Sequence, residues 1–390
     1  MKVNASECPQ VGRSSSHQTS LVCIEDGRTD NLSRDVFGVL GLPIDVIDLE
    51  SLLRKIDAAV SKRSPFLLST PNVNFLMMSR SDECFRETLL MSDLCPVDGM
   101  PLVWISRLLG IPLQQRLSGS DIFDKLRSRA VARKLKVFLF GGAEGVAATV
   151  GEKLNKADGG LICVGALNPG FGSVQDMSSH PIVQSINSSK ADLLTVFLSA
   201  RKAQHWLSEN HSRIDVPVRV QLGTTVNLQA GIVRRAPPMM RELGLEWLWR
   251  IREEPYLWRR YSKDGVGLLF LVLTKVLVLA LEERLQRSSK QQLQISCFED
   301  SKTHRLKLLG PAISSHIEKA ITSFRNALAA RKAISIDLSG ASAVDARFFG
   351  LFMMLRKETA LLGCGLQFVN LPPRIRRKFR RNGFEFLLEA

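Results

Sequence analysis

Between about Phe37 and Gly231, short runs of aliphatic and β-branched residues alternate with longer stretches of helical spacing. The runs are Phe66–Ser69, Lys136–Phe140, Leu161–Gly165, Asp192–Leu198 and Val216–Leu222. Strand-length apolar segments separated by helices predict an α/β unit built on a parallel sheet. The runs are continuous rather than alternating, as strands covered on both faces require, and in such sheets ligands sit beyond the carboxyl ends of the strands. The turns that follow these runs are therefore the places to look for chemistry.

The pattern then changes. Between Met239 and Asp264, Trp247, Trp249, Trp258, Tyr256 and Tyr261 stand among Arg250, Arg252, Arg259 and Arg260, a mixture that suits a lipid headgroup layer. Gly265–Leu281 follows and is apolar apart from Thr274 and Lys275. As a helix it would measure roughly 25 Å at about 1.5 Å per residue, against a bilayer core of about 30 Å. With its basic flank on one side only, it is expected to lie in the membrane interface or pack on the protein, with a single span as the alternative.

A polar stretch at Ser288–Gln292 reads as a linker. Beyond it, strands are predicted at Leu293–Phe298, Arg305–Leu309, Ile334–Leu338 and Leu366–Val369, with helices over Ala312–Ala330, Ala346–Leu361 and Pro372–Asn382. This makes a second, small α/β domain of about 100 residues, enough for an independent unit. The chain thus divides into a tail at 1–35, polar and predicted to be disordered, a main domain at 36–264 with its aromatic appendage at 239–264, an apolar helix and linker at 265–290, and a second domain at 291–390.

Composition narrows the partners. In 390 residues, Lys and Arg outnumber Asp and Glu by 53 to 38, a net charge of +15 that calls for an anionic partner. The basic residues gather with tryptophans and an apolar helix, without a nucleic-acid-binding motif, so nucleic acid is not the expected partner. Seven scattered cysteines without a C-x-x-C pair argue against a disulfide framework and a zinc cluster, and fit a reducing cytoplasm. The six histidines show no ligand spacing, so no metal site is expected.

Five motifs follow strands or open helices. Ser69-Thr70-Pro71-Asn72-Val73-Asn74 offers hydroxyls and amides that can bind a sugar or phosphate, although spacing alone favours an Asx turn and a helix cap. Cys95-Pro96-Val97-Asp98-Gly99-Met100 presents a carboxylate on a tight turn, suited to a general base, though Asp-Gly is also a routine turn pair. In Arg116-Leu117-Ser118-Gly119-Ser120-Asp121, Ser120 or Asp121 would cap a helix and Arg116 could neutralise a diphosphate. Phe138-Leu139-Phe140-Gly141-Gly142-Ala143-Glu144-Gly145 is a strand, a glycine turn and a helix start that can face a phosphate. Gly223–Gly231, followed by Arg234-Arg235-Ala236-Pro237, adds a second glycine turn beside a basic pair.

Taken in order and spacing, these residues resemble the WecG/TagA/CpsF family of bacterial glycosyltransferases, over about Val36 to Asp264. The resemblance rests on Thr70 and Asn72, Asp98-Gly99, Arg116 to Asp121, the Phe138–Gly142 run, Ala230-Gly231 with Arg235-Ala236-Pro237, and Leu245-Glu246-Trp247-Leu248-Trp249-Arg250. It implies a Rossmann-like, metal-independent inverting enzyme with no cofactor, moving a sugar from a UDP-sugar to a polyprenyl-diphosphate-linked acceptor. The setting would be exopolysaccharide or cell-surface polysaccharide synthesis at the cytoplasmic face of the inner membrane.

By the same resemblance Asp98 is the base. Thr70, Asn72 and Gln204 contact the donor or the reacting centre, Arg116 meets the diphosphate, and Gly141 with Gly142 form part of the nucleotide site. Arg250, Arg259 and Arg260 belong to an appendage that meets lipid diphosphate or membrane. Two departures stand out. Where many members read P-K-Q-E this chain has Ser199-Ala200-Arg201-Lys202-Ala203-Gln204-His205-Trp206, which leaves the donor open among N-acetylmannosamine, glucose and glucuronate. Asn227 stands where an acidic residue is frequent, leaving Asp98 as the clearer base.

The stretch from about Gln291 to Leu388 resembles a STAS domain, carried by Ile334–Asp345, the Gly350-containing helix and Gly363–Leu371. Asp345 is followed by Ala346, Arg347 and Phe348, with no Ser or Thr at the helix start, so protein binding rather than phosphorylation is expected of it. The last helix, with Arg374, Arg376, Arg377, Lys378, Arg380 and Arg381, would attach to anionic lipid or form a solvated basic face. The alternative to an enzyme is a non-catalytic scaffold of a polysaccharide assembly that acts through its STAS domain.

Overall fold

The computed structural model describes residues 30–223, 225–286 and 291–389. Most of the predicted tail, residues 1–29, lies outside these, as do Thr224 and residues 287–290 of the predicted linker.

A hairpin comes first, β1 (Val36–Val39) and β2 (Leu42–Asp45), paired antiparallel. Its turn, Leu40-Gly41, has φ of +51° and +93°, the left-handed pair that suits a tight hairpin and that Gly41 adopts without cost. Five strands then form the expected parallel sheet: β3 (Phe66–Leu68), β4 (Leu135–Gly141), β5 (Leu161–Leu167), β6 (Leu193–Phe197) and β7 (Val218–Gln221), in the spatial order β3-β7-β6-β4-β5.

Both faces of this sheet are covered, which is why its strands read as continuous apolar runs. On one side Ile56, Phe123 and Val150, from helices Leu49–Lys62, Gly119–Ser128 and Val146–Lys156, pack on Val137, Leu139 and Val218. On the other, Trp206 of helix Ala200–Glu209 stacks on Phe140 with ring centroids 4.4 Å apart and donates its indole N–H to Met177 O at 2.9 Å. A further helical layer sits beside the sheet, where Phe75, Phe85, Leu102 and Ile105 pack together.

That layer receives the apolar helix. The helix runs unbroken from Trp258–Leu271 through a π-helical turn, Val272–Val276, into Leu277–Gln286, so the boundary expected at 264 falls inside it. Leu271, Val276, Leu279 and Ala280 are buried against the helices of the first domain, while Val266, Phe270, Leu273, Leu277 and Leu281 line the opposite, exposed side. The stretch Pro255–Arg284 is long and apolar enough to cross a membrane, and Leu271, Val276, Leu279 and Ala280 within it are packed on its own protein.

The second domain has β8 (Gln294–Glu299), β9 (Thr303–Ala312), β10 (Ala333–Val344) and β11 (Leu366–Val369) in the order β11-β10-β9-β8, with only β8–β9 antiparallel. Helix Ala346–Leu361 begins where it was expected, capped by Asp345, whose side chain accepts from Phe348 N. Eleven of its sixteen residues are buried, because its far side is covered by the first domain's hairpin. Gly350 lets them meet, since a Cβ there would stand 1.9 Å from Val36 O.

This contact corrects two expectations. Residues 30–35 are not tail: Asn31–Ser33 forms a 3-10 turn, Leu32 enters the second domain's core, and Arg34 forms a buried ion pair with Asp45 at 2.8 Å. The last helix, Pro373–Asn382, is not a uniformly basic face either. Lys378 is buried against Glu283 at 2.9 Å and Arg381 pairs with Glu282, so two of its cations hold the long helix while Arg374, Arg376 and Arg377 stay exposed.

Candidate functional site

The polar residues converge at the carboxyl edge of the parallel sheet. β4 has β5 on one side and β6 on the other, so the chain order reverses between β4 and β6, where α/β sheets open a crevice. The Gly141-Gly142 turn lies there, with φ of +97° and +87°, values that favour glycine. Gly142 donates its N–H to Phe197 O at 3.0 Å, so that amide is committed to the turn and not to a ligand. The free backbone at this place is the start of helix Val146–Lys156, whose N-cap, Gly145, brings no capping side chain.

Asp98 lies just before helix Met100–Leu108. Its N–H donates to Pro71 O at 2.8 Å, and Gly99, with φ of +108°, turns the chain into the helix. This bond ties the Asp98 turn to the Thr70-Pro71-Asn72 turn after β3. The Asp98 side chain is half-buried, and burial is the main cause that lifts its pKa to about 7. Arg116 opposes the rise, Glu246 and Asp121 reinforce it, and Arg250 opposes it.

Arg116 is the centre of the charge network. Its guanidinium meets Glu246 at 2.7 Å and Asp121 at 3.8 Å. Burial disfavours its charge, but Glu246, Asp121 and Asp98 outweigh that and raise its pKa. Asp121 also pairs with Arg235, and Arg235 with Asp124, which accepts from Gln229 Nε2 at 2.7 Å. Burial works against the Asp121 charge, yet the Ser118 hydroxyl and the two arginines hold its pKa below the usual carboxylate value. The cap of helix Gly119–Ser128 is Ser118, not Ser120 or Asp121. Ser118 Oγ accepts from Asp121 N at 3.1 Å in a reciprocal capping box, while Ser120 meets Thr225 at 3.1 Å.

Other expected residues sit elsewhere. Asn72 spends its side-chain oxygen capping helix Val73–Ser79, through Phe75 N at 3.1 Å. Thr70 is buried beneath the cleft, next to Gly119. Gln204 is fully buried and exchanges hydrogen bonds with Ser69 Oγ at 3.1 and 3.3 Å, so it braces the end of β3 instead of facing a donor. Arg250 faces the site through its influence on Asp98 and pairs with Glu254 at 3.0 Å. Arg259 and Arg260 are exposed on the long helix, over the rings of Trp258 and Tyr261 at 5.8 and 5.0 Å. Among the described residues no group of three or more His, Cys, Asp and Glu is arranged to hold a metal ion.

Sequence reasoning named Arg116 but not its partner. In the sequence Glu246 stands out only as part of an aromatic run and Gln229 only within the Gly223–Gly231 motif, and nothing singles out Asp124. A charged residue within an otherwise aromatic stretch was the available signal, and only folding of the appendage back onto the cleft gave it meaning. The resulting site has one carboxyl lifted to about 7 beside Arg116, Arg235 and Arg250, each of which is paired with carboxylates. It can accept a proton and stabilise a polyanion.

Comparison with known proteins identifies the family. The description "Glycosyl transferase WecG/TagA/CpsF family" matches residues 37–281, and that of the STAS domain matches residues 273–389. Among similar curated proteins is an N-acetylglucosaminyldiphosphoundecaprenol N-acetyl-beta-D-mannosaminyltransferase of Bacillus spizizenii, 28% identical over 200 residues, covering 51% of this chain and 75% of the relative. The proteins of the same name from Bacillus subtilis (27% over 217 residues, 56% and 80%) and Staphylococcus aureus strain MW2 (22% over 227 residues, 58% and 86%) are also similar. With the family's pattern running through well over half its length, the chain belongs to the WecG/TagA/CpsF family of glycosyl transferases and carries a STAS domain at its C-terminal end.

Proposed function

We propose that the protein moves a sugar from a UDP-sugar to a polyprenyl-diphosphate-linked acceptor, with Asp98 as the general base. The observation that carries this reading is the half-buried Asp98 carboxyl, with its pKa near 7, beside the Arg116 network at the sheet's carboxyl edge. In the reaction an acceptor hydroxyl attacks the anomeric carbon from the face opposite the nucleotide. Its proton passes to Asp98 as the bond to the UDP oxygen breaks, inverting the centre.

The departing diphosphate carries charge that Arg116, Arg235 and Arg250 would steady, with the amino end of helix Val146–Lys156 as a further anion contact. In this reading arginines, rather than a metal ion, take up that charge. Diphosphate displaces carboxylates from them, since Arg116 is held by Glu246 and Arg235 by Asp121 in the free protein. The relatives named above support an N-acetylhexosamine as donor and an undecaprenyl-diphosphate-linked acceptor. The same reading places the protein at the cytoplasmic face of the inner membrane. The exposed Val266–Leu281 side of the long helix and the exposed Trp247, Tyr256 and Trp258 would enter the headgroup layer, flanked by Arg259 and Arg260. Synthesis of a surface polysaccharide, exopolysaccharide included, is the corresponding role.

The test is incorporation of label from UDP-N-acetylmannosamine, UDP-glucose, UDP-glucuronate and UDP-N-acetylglucosamine into polyprenyl-diphosphate-linked acceptors, with and without chelator. Transfer that persists in chelator and disappears in Asp98→Asn is expected. No transfer from any donor to competent acceptors would refute the reading and favour the scaffold.

A further inference from the structure

The loop that carries Asp98 hangs from two buried ion pairs, and one of them comes from the STAS domain. Lys357, on helix Ala346–Leu361, has a side chain only 4% exposed. Its ammonium reaches Asp93 Oδ1 at 2.8 Å and the Ser92 carbonyl at 3.1 Å. Asp93 accepts from Leu67 N through its other oxygen at 2.9 Å, and its own N–H donates to Leu67 O at 2.8 Å. One carboxylate thereby joins the STAS helix to β3, two residues before Ser69.

The second pair, Arg34–Asp45, grips the same segment from the hairpin. Arg34 Nη1 donates to Ser92 O at 3.0 Å, and Asp45 Oδ2 accepts from Cys95 N at 2.6 Å. Residues 92–95 are therefore fixed at both ends, three residues short of Asp98. The hairpin is itself held on the STAS helix, where Arg347 donates to Val36 O at 3.0 Å and Gly350 admits the Val36 carbonyl.

An apolar contact would have served docking alone. Phe348, Phe349, Met353 and Met354 already give this helix its buried surface, and an ammonium at such depth costs free energy unless paired. What the charge adds is direction: it fixes where the Ser92 carbonyl and the Asp93 carboxylate lie. We propose that the STAS domain is a working part of the transferase site, with Lys357 as a positioning residue that sets the Asp98 loop and the Thr70 turn through Asp93 and Ser92. This rests on the reading of Asp98 as the base. It follows that a partner displacing the STAS helix would be felt at the catalytic carboxylate.

The experiment uses the full chain and three variants. Lys357→Met removes the ammonium. Arg356→Met breaks the neighbouring Arg356–Glu87 pair, 2.8 Å long, across the same interface but away from residues 92–98. Asp98→Asn reports on the base. Below the melting temperature of each, Lys357→Met is expected to lower kcat about ten- to a hundred-fold, the scale of a small misplacement of a reacting group. KM for the UDP-sugar and UDP affinity should stay within about two-fold of wild type. Arg356→Met should leave kcat unchanged. If Lys357→Met does not fold, Asp93→Asn keeps an acceptor for Leu67 N while weakening the ammonium's hold, and should lower kcat in the same way. Wild-type kcat in the folded variant, or equal losses in Lys357→Met and Arg356→Met that track their stability, would overturn the proposal. An active Asp98→Asn would instead remove the reading on which it rests.

Discussion

Replacing Asp98 by Asn should abolish transfer and at the same time make the protein less sensitive to rising pH. Burial and the neighbouring carboxylates raise the Asp98 pKa from 3.8 to about 7. A folded state that holds this proton more tightly than the unfolded chain gains stability at low pH. That gain is lost between the unfolded and folded pKa values, from about pH 4 to about pH 7. From pH 5 to pH 8 the loss spans about two units, an upper bound of ~2.7 kcal/mol at about 1.36 kcal/mol per unit. The side chain is only half-buried, so solvent screening reduces this to roughly 1–1.5 kcal/mol. In a chain of this size that corresponds to a shift of roughly 1–3 °C in Tm.

The assay is a pair of thermal melts, wild type and Asp98→Asn, at half-unit steps from pH 5 to 8. Titrating groups remote from Asp98 are common to both proteins and cancel in the difference. The variant should gain on the wild type as pH rises, and the wild-type kcat/KM should climb with pH along a limb centred near 7, as the base loses its proton. Parallel melting curves, or an acid limb near pH 4, would show that Asp98 ionises as an ordinary exposed carboxyl and would refute this account of the site.

Glu246→Gln removes a charge that raises the Asp98 pKa, so the acid limb of kcat/KM should move down by a fraction of a pH unit, and UDP affinity should rise as Arg116 is released. An unmoved limb would mean that Glu246 does not sense Asp98. Phe270→Glu with Leu269→Glu alters side chains 64% and 59% exposed, so sedimentation with anionic vesicles should be lost while Tm stays within about 1 °C. Persistent sedimentation would leave the appendage as the sole contact. Gly350→Val drives a side chain into the Val36 carbonyl, 1.9 Å from a Cβ, and should cost about 3 kcal/mol or more, read as early melting and new proteolytic cleavage near residues 30–45.

The Lys136–Phe140 and Asp192–Leu198 runs announced a sheet covered on both faces, because strands that lack a wet side have no reason to alternate. The Asp98-Gly99 and Gly141-Gly142 turns were equally legible, since left-handed backbone is glycine's territory and strand ends are where α/β folds place their ligands. Helix Ala346–Leu361 carries a further signal in its composition. A helix apolar nearly all round needs cover on two sides, and a two-layer domain supplies one.

What the pattern could not supply was the partner of each charge. Glu246 and Arg116 are far apart along the chain, as are Lys357 and Asp93, and neither pairing leaves a periodic trace. The family resemblance made Gln204 and Asn72 ligand contacts, but the fold uses both to satisfy its own backbone and hydroxyl groups. Local sequence determined the elements, the turns and the chemistry on offer. Tertiary packing decided which polar groups were left facing the cleft, because a buried hydrogen-bonding group must first be paired within the protein.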